Sequence, residues 1–336
     1  MIRFFENYSL RQHNTFNIEA KAKLYAEITE VDDLKQLISQ DSLLKENKIL
    51  IVGGGSNILF LGDFDGLVIH SNIKGMRHVK EDRKNVWIEA GAGEIWDEFV
   101  MCCVDLQLGG VENLSLIPGT VGAAPVQNIG AYGQEVANVI ERVKGFDFVK
   151  KEHVEYSNAE CGFGYRDSIF KQLLKNSFVI TSVVFKLNKA PKFKLDYSNL
   201  KENVSRRGGA TLENIKNAID EIRMSKLPDV KELGSAGSFF KNPVIDIRLA
   251  EEIKAKFGEI PVYKAEKGKV AAGWLVEKCG WKGFREGDAG VHDKQALVLV
   301  NYGNATGQEI FALSEKIKQS VLDKFGIELE REVNCV

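Results

Sequence analysis

LIPGTVGAAPVQNIGAYGQE, residues Leu116–Glu135, holds Gly119, Gly122, Gly130 and Gly133 beside Ala123, Ala124 and Ala131, and neither a helical nor a strand period survives in it. Glycine reaches backbone conformations closed to other residues, and small side chains let main-chain N–H groups approach a ligand. Pro118 and Pro125 stiffen the loop, while Thr120, Gln127, Asn128 and Tyr132 bring hydrogen-bonding groups to it. Such a make-up suits a ligand cradle or a tight crossover between core elements. A second loop, Gly53-Gly54-Gly55-Ser56-Asn57, follows the apolar run Ile49–Val52, so a buried strand is expected to deliver its glycines to a mouth where phosphate is the natural guest. The dinucleotide pattern G-x-G-x-x-G fails at Ile58, and no Gly-Lys-Ser/Thr follows as a Walker loop requires. Two separate cradles suit one long ligand, such as a flavin dinucleotide, better than a mononucleotide.

A chain of 336 residues exceeds what one hydrophobic core usually organises, so two or three domains are expected. With 45 basic and 47 acidic residues the net charge of -2 offers no cationic surplus for nucleic acid. The N-terminus MIRFFENYSLRQHNT lacks the pattern of a signal peptide and no apolar run reaches membrane-spanning length, which predicts a cytoplasmic protein. Five cysteines without paired spacing and five scattered histidines predict reduced thiols and no metal site.

In chain order, a strand at 22–28, a helix carrying Val31, Leu34, Leu37 and Ile38 behind a cap at Thr29, and the strand 49–52 read as a β-α-β unit. A strand near Val86–Glu89 leads into a helix carrying Ile95, Trp96, Phe99, Val100, Cys103 and Leu106, with Trp96 and Cys103 read as core and Gly109-Gly110 as the stop. Strand-like pieces at 143–149 and 177–187 follow, then a polar connection over 189–209. Amphipathic helices are expected around Leu212–Ile222 and Ile245–Phe257, and Thr306 with Glu309 forms a capping box for a last helix closed by Gly326.

Three clusters could carry chemistry. Cys161–Ser168 sets Arg166 and Asp167 in a glycine-hinged turn, where the arginine could hold a carboxylate bidentately or merely pin the turn. Gly234–Pro243 places Ser235 and Ser238 before an aromatic pair, without the G-x-S-x-G of a hydrolase elbow; each serine is a cap or a proton donor. Ile327–Val333 alternates as a strand would, with Glu328, Glu330 and Glu332 on one face, either a solvated edge or a functional row.

Taken together, Asn14-Thr15-Phe16, VGGGSNILF at 52–60, IPGTVGAAPVQNIGAYGQEV at 117–136, GYRDSIFK, GSFFKNP, AAGWLVEKCGWKG and HDKQALVLVN resemble, nearly end to end, the UDP-N-acetylenolpyruvoylglucosamine reductases. Leu195–Leu200 is similar to the tyrosine loop of that family's longer class. The resemblance implies an α+β fold: a two-subdomain FAD-binding module of the vanillyl-alcohol-oxidase type, residues 1–70 and 71–209, plus a C-terminal α+β substrate domain, 210–336. It implies NADPH-dependent, FAD-mediated reduction of UDP-N-acetylglucosamine enolpyruvate, with small-molecule partners only. By matching motifs, Arg166, Ser238 and Glu332 would be catalytic. Gly53, Gly54, Gly55, Ser56, Asn57, Pro118, Gly119, Thr120, Gly122, Ala123 and Gly130 would hold FAD. Tyr132, Tyr197, Lys226, Asn242, Tyr263, Lys269 and Gln295 would contact substrate. The family usually reads Leu-Glu-Pro-Glu-Val at the tail, whereas Arg331 stands here in the proline's place. The alternative is another FAD oxidoreductase of the same architecture acting on a sugar or lactone.

Overall fold

A computed structural model describes residues 2–197, 199–258, 261 and 268–336. The chain divides into two compact units, one of residues 1–8, 22–54 and 65–225, the other of residues 9–21, 55–64 and 226–336.

Among the described residues the first unit contains two large sheets and a two-stranded one that pairs Gly130–Ala131 with Gln134–Glu135. In one, the strands run Phe4–Ser9, Lys21–Ile28, Phe64–Ser71, Lys48–Val52 in spatial order, and Lys48–Val52 lies parallel to Gly66–His70. The helix Val31–Ser39 buries Leu34 and Leu37 against Ala26, Ile28, Leu67 and Ile69. Its cap is Glu30 rather than Thr29, because the Asp33 carboxylate reaches back to the Glu30 N–H at 3.1 Å and also accepts from Thr29. The second sheet is five-stranded and antiparallel, in the order Glu152–Ser157, Ile140–Asp147, Phe178–Asn188, Asn85–Gly91, Met76–Glu81. The helix Trp96–Asp105 packs there with Trp96 and Cys103 fully in the core, as read from the sequence, and with the Phe99 ring 4.5 Å from that of Phe185.

This helix ends at Asp105, before Gly109-Gly110, because Gln107 turns left-handed at φ 57°. Gly109 instead exchanges two 2.9 Å backbone hydrogen bonds with Asn188, so the glycine pair is a crossing point and not the stop. The polar connection also holds more order than its composition predicts: Leu200–Arg206 is a helix whose Leu200 and Val204 pack on Ile215, Ala218, Ile219 and Ile222. The helix Leu212–Lys226, expected to open the last domain, therefore belongs almost entirely to the first unit.

The second unit is built on the sheet Gly234–Ser238, Val298–Asn301, Ala289–Val291, Arg285–Glu286. The helix Gly307–Phe325 starts at the Thr306–Glu309 capping box and ends at Gly326 with φ 67°. Its apolar stripe, Ile310, Leu313, Ile317, Val321 and Phe325, is buried. After it, Ile327, Leu329 and Val333 are buried while Glu328 and Glu330 face water, so the alternation holds in burial. The tail is not one continuous strand: Arg331 bridges Phe240, and then Asn334–Cys335 runs parallel to Ile58–Leu59. Among the described residues no helix is long and apolar enough to cross a membrane, and no three His, Cys, Asp or Glu side chains cluster as metal ligands would.

Candidate active site

In the first unit the two glycine loops meet. A Cβ added at Gly53 would stand 2.5 Å from Thr120 Oγ1 and 3.4 Å from Ala123 Cβ, and one at Gly54 would stand 3.1 Å from Gly119 Cα. Any side chain at these positions fills the space between the loops. The long loop is tied to the segment after Asn85–Gly91: Trp96 N–H donates to Gly119 O at 3.1 Å and Gly122 N–H to Ala92 O at 2.8 Å. A Cβ on Gly122 would meet Ala92 Cβ at 2.5 Å, so Gly122 permits close packing of backbone on backbone. Thr120 Oγ1 is buried and has no hydrogen-bond partner within the protein. A buried hydroxyl left unsatisfied beside a glycine-lined cradle is free to bond a polar ligand group there. The donor set, backbone N–H groups with one hydroxyl and no carboxylate between them, fits the diphosphate of FAD. Pro118 and Gly54 are exposed at its edge, with Gly53, Gly119, Thr120 and Ala123 half-buried.

The far end of the long loop carries a cation. Asn128, at φ 43° and almost wholly buried, donates to Glu135 Oε2 at 3.0 Å and Gly164 O at 2.9 Å and accepts from Ala137 N–H, knitting the loop to the turn Gly164–Asp167. In that turn Arg166 sits at φ 54°, a left-handed conformation that costs an L-residue energy and is retained where the surroundings fix it. Its Nη2 donates to Gly130 O at 2.6 Å, and a Cβ on Gly130 would lie 2.8 Å from Nη1, so Gly130 is small to admit the guanidinium. Asp167 accepts from Ser168 N–H and Gln172 Nε2, both at 3.0 Å, so the turn is pinned by groups other than the Arg166 guanidinium. Tyr132 and Tyr197 stand edge to face with ring centroids 5.6 Å apart, and Asn113 Nδ2 bonds the carbonyls of Tyr132 and Lys194 at 2.9 Å each. Burial raises the Tyr132 hydroxyl's pKa, opposed by Arg223.

Arg223 is a buried cation that the sequence motifs do not single out. Its Nη2 donates to Leu116 O at 3.1 Å, its Nε is buried without a partner, and burial lowers its pKa against the pull of Tyr132, Asp220 and Asp97. The signal was present: a cation one turn after Ile219 on the apolar face of an amphipathic helix.

In the second unit Ser238 and Glu332 are brought together by backbone pairing. Glu332 N–H donates to Phe239 O at 2.8 Å and Lys241 N–H to Glu330 O at 2.9 Å. Between Ser235 and Ser238 the register shifts, with Gly237 at φ 70°; this bulge turns Ser238 to the exposed side while Ser235 stays buried. Ser235 is held by its backbone, which accepts from Thr15 Oγ1 at 2.6 Å and donates to Thr15 O at 2.9 Å. Gly55, at φ 62°, begins this unit's share of the glycine loop and accepts from Thr15 N–H, and Ser56 follows half-buried. Asn57 Nδ2 donates to Glu332 O at 3.2 Å. Asn242 Oδ1 accepts from Ala272 N–H at 2.9 Å, starting the helix Ala272–Lys278; Lys269 is buried in a bridge to Val244; Gln295 O accepts from Val298 N–H at 3.0 Å. Lys226 is exposed. Tyr263 lies outside the described residues.

The protein-family model for the C-terminal domain of UDP-N-acetylenolpyruvoylglucosamine reductase matches residues 228–336, and that for an FAD binding domain matches 22–152. A UDP-N-acetylenolpyruvoylglucosamine reductase of Flavobacterium johnsoniae is 48% identical over 338 residues, covering 98% of each chain. Those of Bacteroides fragilis and Pseudomonas putida are 45% and 44% identical, covering 98% and 99% of this chain and 99% of theirs. The crystal structure of the Thermus caldophilus reductase superposes with a TM-score of 0.68 at 24% identity, covering 100% of this chain and 98% of that one, a likeness of fold.

Proposed function

Because this chain belongs to the UDP-N-acetylenolpyruvoylglucosamine reductase family, we propose that Arg166, Ser238 and Glu332 carry the family's reaction here. The protein is an FAD-dependent oxidoreductase that reduces UDP-N-acetylglucosamine enolpyruvate with NADPH in peptidoglycan precursor synthesis. Bound FAD supplies the hydride relay from NADPH to the enolpyruvyl ether. Gly53, Gly54, Gly119, Thr120 and Ala123 would hold its diphosphate, where the Thr120 hydroxyl would gain the partner it lacks within the protein.

Reduction of the ether's terminal carbon builds negative charge on the neighbouring carbon and its carboxylate, so a fixed cation aimed there stabilises the transition state more than the ground state. Arg166, held at its odd φ and anchored on Gly130, is that cation. Ser238 delivers the proton to carbon; a weak acid suffices because a carbanion is a far stronger base, and positioning counts for more than acidity. Glu332, fixed opposite Phe239, orients the hydroxyl and the substrate carboxylate. Tyr132, Tyr197, Lys226, Asn242, Tyr263, Lys269 and Gln295 bind the nucleotide sugar, and the protein works in the cytoplasm.

The observation that supports this reading above the others is the Gly237 bulge, which exposes Ser238 beside the Glu332 segment while Ser235 stays buried. The test is NADPH consumption by the purified, FAD-loaded protein: it should depend on the enolpyruvyl sugar, and consumption that proceeds equally with oxygen alone would favour an oxidase of the same architecture.

A further inference from the structure

In the family that the tail resembles, proline stands before the glutamate corresponding to Glu332, where it would restrain the backbone directly. Here Arg331 stands in that place, and the structure shows a different restraint. Arg331 Nε donates to Ser314 Oγ at 3.0 Å, its guanidinium pairs with Glu315, and Cζ lies 4.4 Å from the Phe311 ring centroid. Phe311, Ser314 and Glu315 are spaced three and four apart, so all three lie on one face of the helix Gly307–Phe325. That helix is held by five buried apolar residues and both caps, and Ser314 is itself fully buried and bonded to Phe311 O at 2.6 Å. The arginine therefore ties the tail to a rigid element through a side chain whose planar fork loses little freedom per bond formed.

The backbone at Arg331 carries no part of the neighbouring pairing. Glu332 N–H and Lys241 N–H make the two hydrogen bonds to residues 239 and 330, which leaves the Phe240–Arg331 pair as the non-hydrogen-bonded one of this antiparallel bridge. Proline at 331 would thus cost no hydrogen bond there. On the other side of Glu332, Asn57 Nδ2 holds the Glu332 carbonyl, and Asn57 O accepts from the N–H and the Nδ2 of Asn334, both at 3.1 Å.

We propose that Arg331 is a positioning residue for Glu332: its anchor on the 307–325 helix replaces the proline's backbone restraint and fixes the catalytic glutamate against Phe239. The proposal rests on the reading of Glu332 as catalytic. A loosened Glu332 misplaces a group by a fraction of an ångström to an ångström, which can cost up to about 10²-fold in rate.

The experiment compares Arg331→Met, Arg331→Pro and Glu332→Gln as FAD-loaded proteins, following flavin absorbance in each half-reaction. Arg331→Met keeps the length of the stem and loses the anchor; it should leave flavin reduction by NADPH at the parent rate and slow reoxidation by the enolpyruvyl sugar at least 10-fold, with kcat falling and KM nearly unchanged. Arg331→Pro should recover most of that loss, which a merely structural contact to the helix would not. Glu332→Gln reports on the premise: if it reoxidises at the parent rate, the reading of Glu332 fails. If Glu332→Gln is slow but Arg331→Met is not, or if Arg331→Pro is as slow as Arg331→Met, the positioning role is overturned.

Discussion

Replacing Thr120 by valine should make the FAD-free protein more stable and bind FAD less well, two effects of opposite sign from one atom. Thr120 Oγ1 is buried, has no partner within the protein, and faces the glycine at 53. A buried hydroxyl without a partner costs about 1–3 kcal/mol, a burden that valine, of the same branched shape, removes. On the proposed placement of FAD the hydroxyl would meet an ionised phosphate oxygen, and a hydrogen bond to a charged group contributes about 1.5–3 kcal/mol. At 1.4 kcal/mol per tenfold, the dissociation constant should rise by roughly 10- to 150-fold. Thermal melts of the apo and FAD-saturated proteins, with titration by flavin fluorescence, measure both arms. Thr120→Ser keeps the hydroxyl and should retain affinity. The reasoning is refuted if the valine variant binds FAD within about 3-fold of the parent, or if its apo form melts lower by as much as its FAD-bound form.

Ser238→Ala should leave flavin reduction by NADPH near the parent rate and slow reoxidation by the sugar by roughly 10²–10⁴, the range of a positioned general acid, whereas Ser235→Ala, at a residue held through its backbone, should lose far less; stopped-flow absorbance decides. Arg166→Lys should lower sugar-dependent turnover, because lysine keeps the charge but loses the fork that can bond Gly130 O and a carboxylate together; parent-like steady-state kinetics would demote Arg166 to a turn residue. Glu89 is buried on the five-stranded sheet, where burial raises its pKa but hydrogen bonds from Ser182, Arg77 and Lys144 outweigh that and lower it. A depressed carboxylate stabilises the fold above its unfolded pKa and loses that contribution as pH falls through the folded one. Glu89→Gln should therefore cost about 1.5–3 kcal/mol near neutral pH, with the gap to the parent closing on acidification, as read from urea melts at several pH values.

The parts legible in the sequence were those governed by local chemistry. The Thr306–Glu309 box, the apolar stripe of the last helix and the core placement of Trp96 and Cys103 follow from spacing and residue type. The two glycine loops stood out as well, with a ligand cradle and a tight crossover both open to a stretch of that composition. Features set by partners distant in sequence were hidden. Gly109-Gly110 read as a helix stop because the partner of Gly109, Asn188, lies 79 residues away, and the helix ends earlier by a left-handed Gln107 that no propensity announces. Leu200 and Val204 are too few apolar residues to declare a helix until the face of Leu212–Lys226 is there to cover them. Arg223 was passed over because its burial and its bond to Leu116 O depend on the fold of the long loop. At the tail the alternation of Ile327, Leu329 and Val333 was visible, but the Arg331 side chain finds its partner on the helix Gly307–Phe325, out of reach of any local pattern.

The account's central claim, that this protein reduces an enolpyruvyl UDP-sugar through FAD, is tested most directly by a single anaerobic turnover. The FAD-loaded protein is reduced with one equivalent of NADPH, mixed with UDP-N-acetylglucosamine enolpyruvate, and followed by flavin absorbance with mass spectrometry of the quenched sugar. Full return of the oxidised flavin spectrum and a sugar two hydrogens heavier, one equivalent per flavin, are the expected result. Flavin that stays reduced in the presence of the sugar and is reoxidised only when oxygen is admitted, with the sugar unchanged, would contradict it.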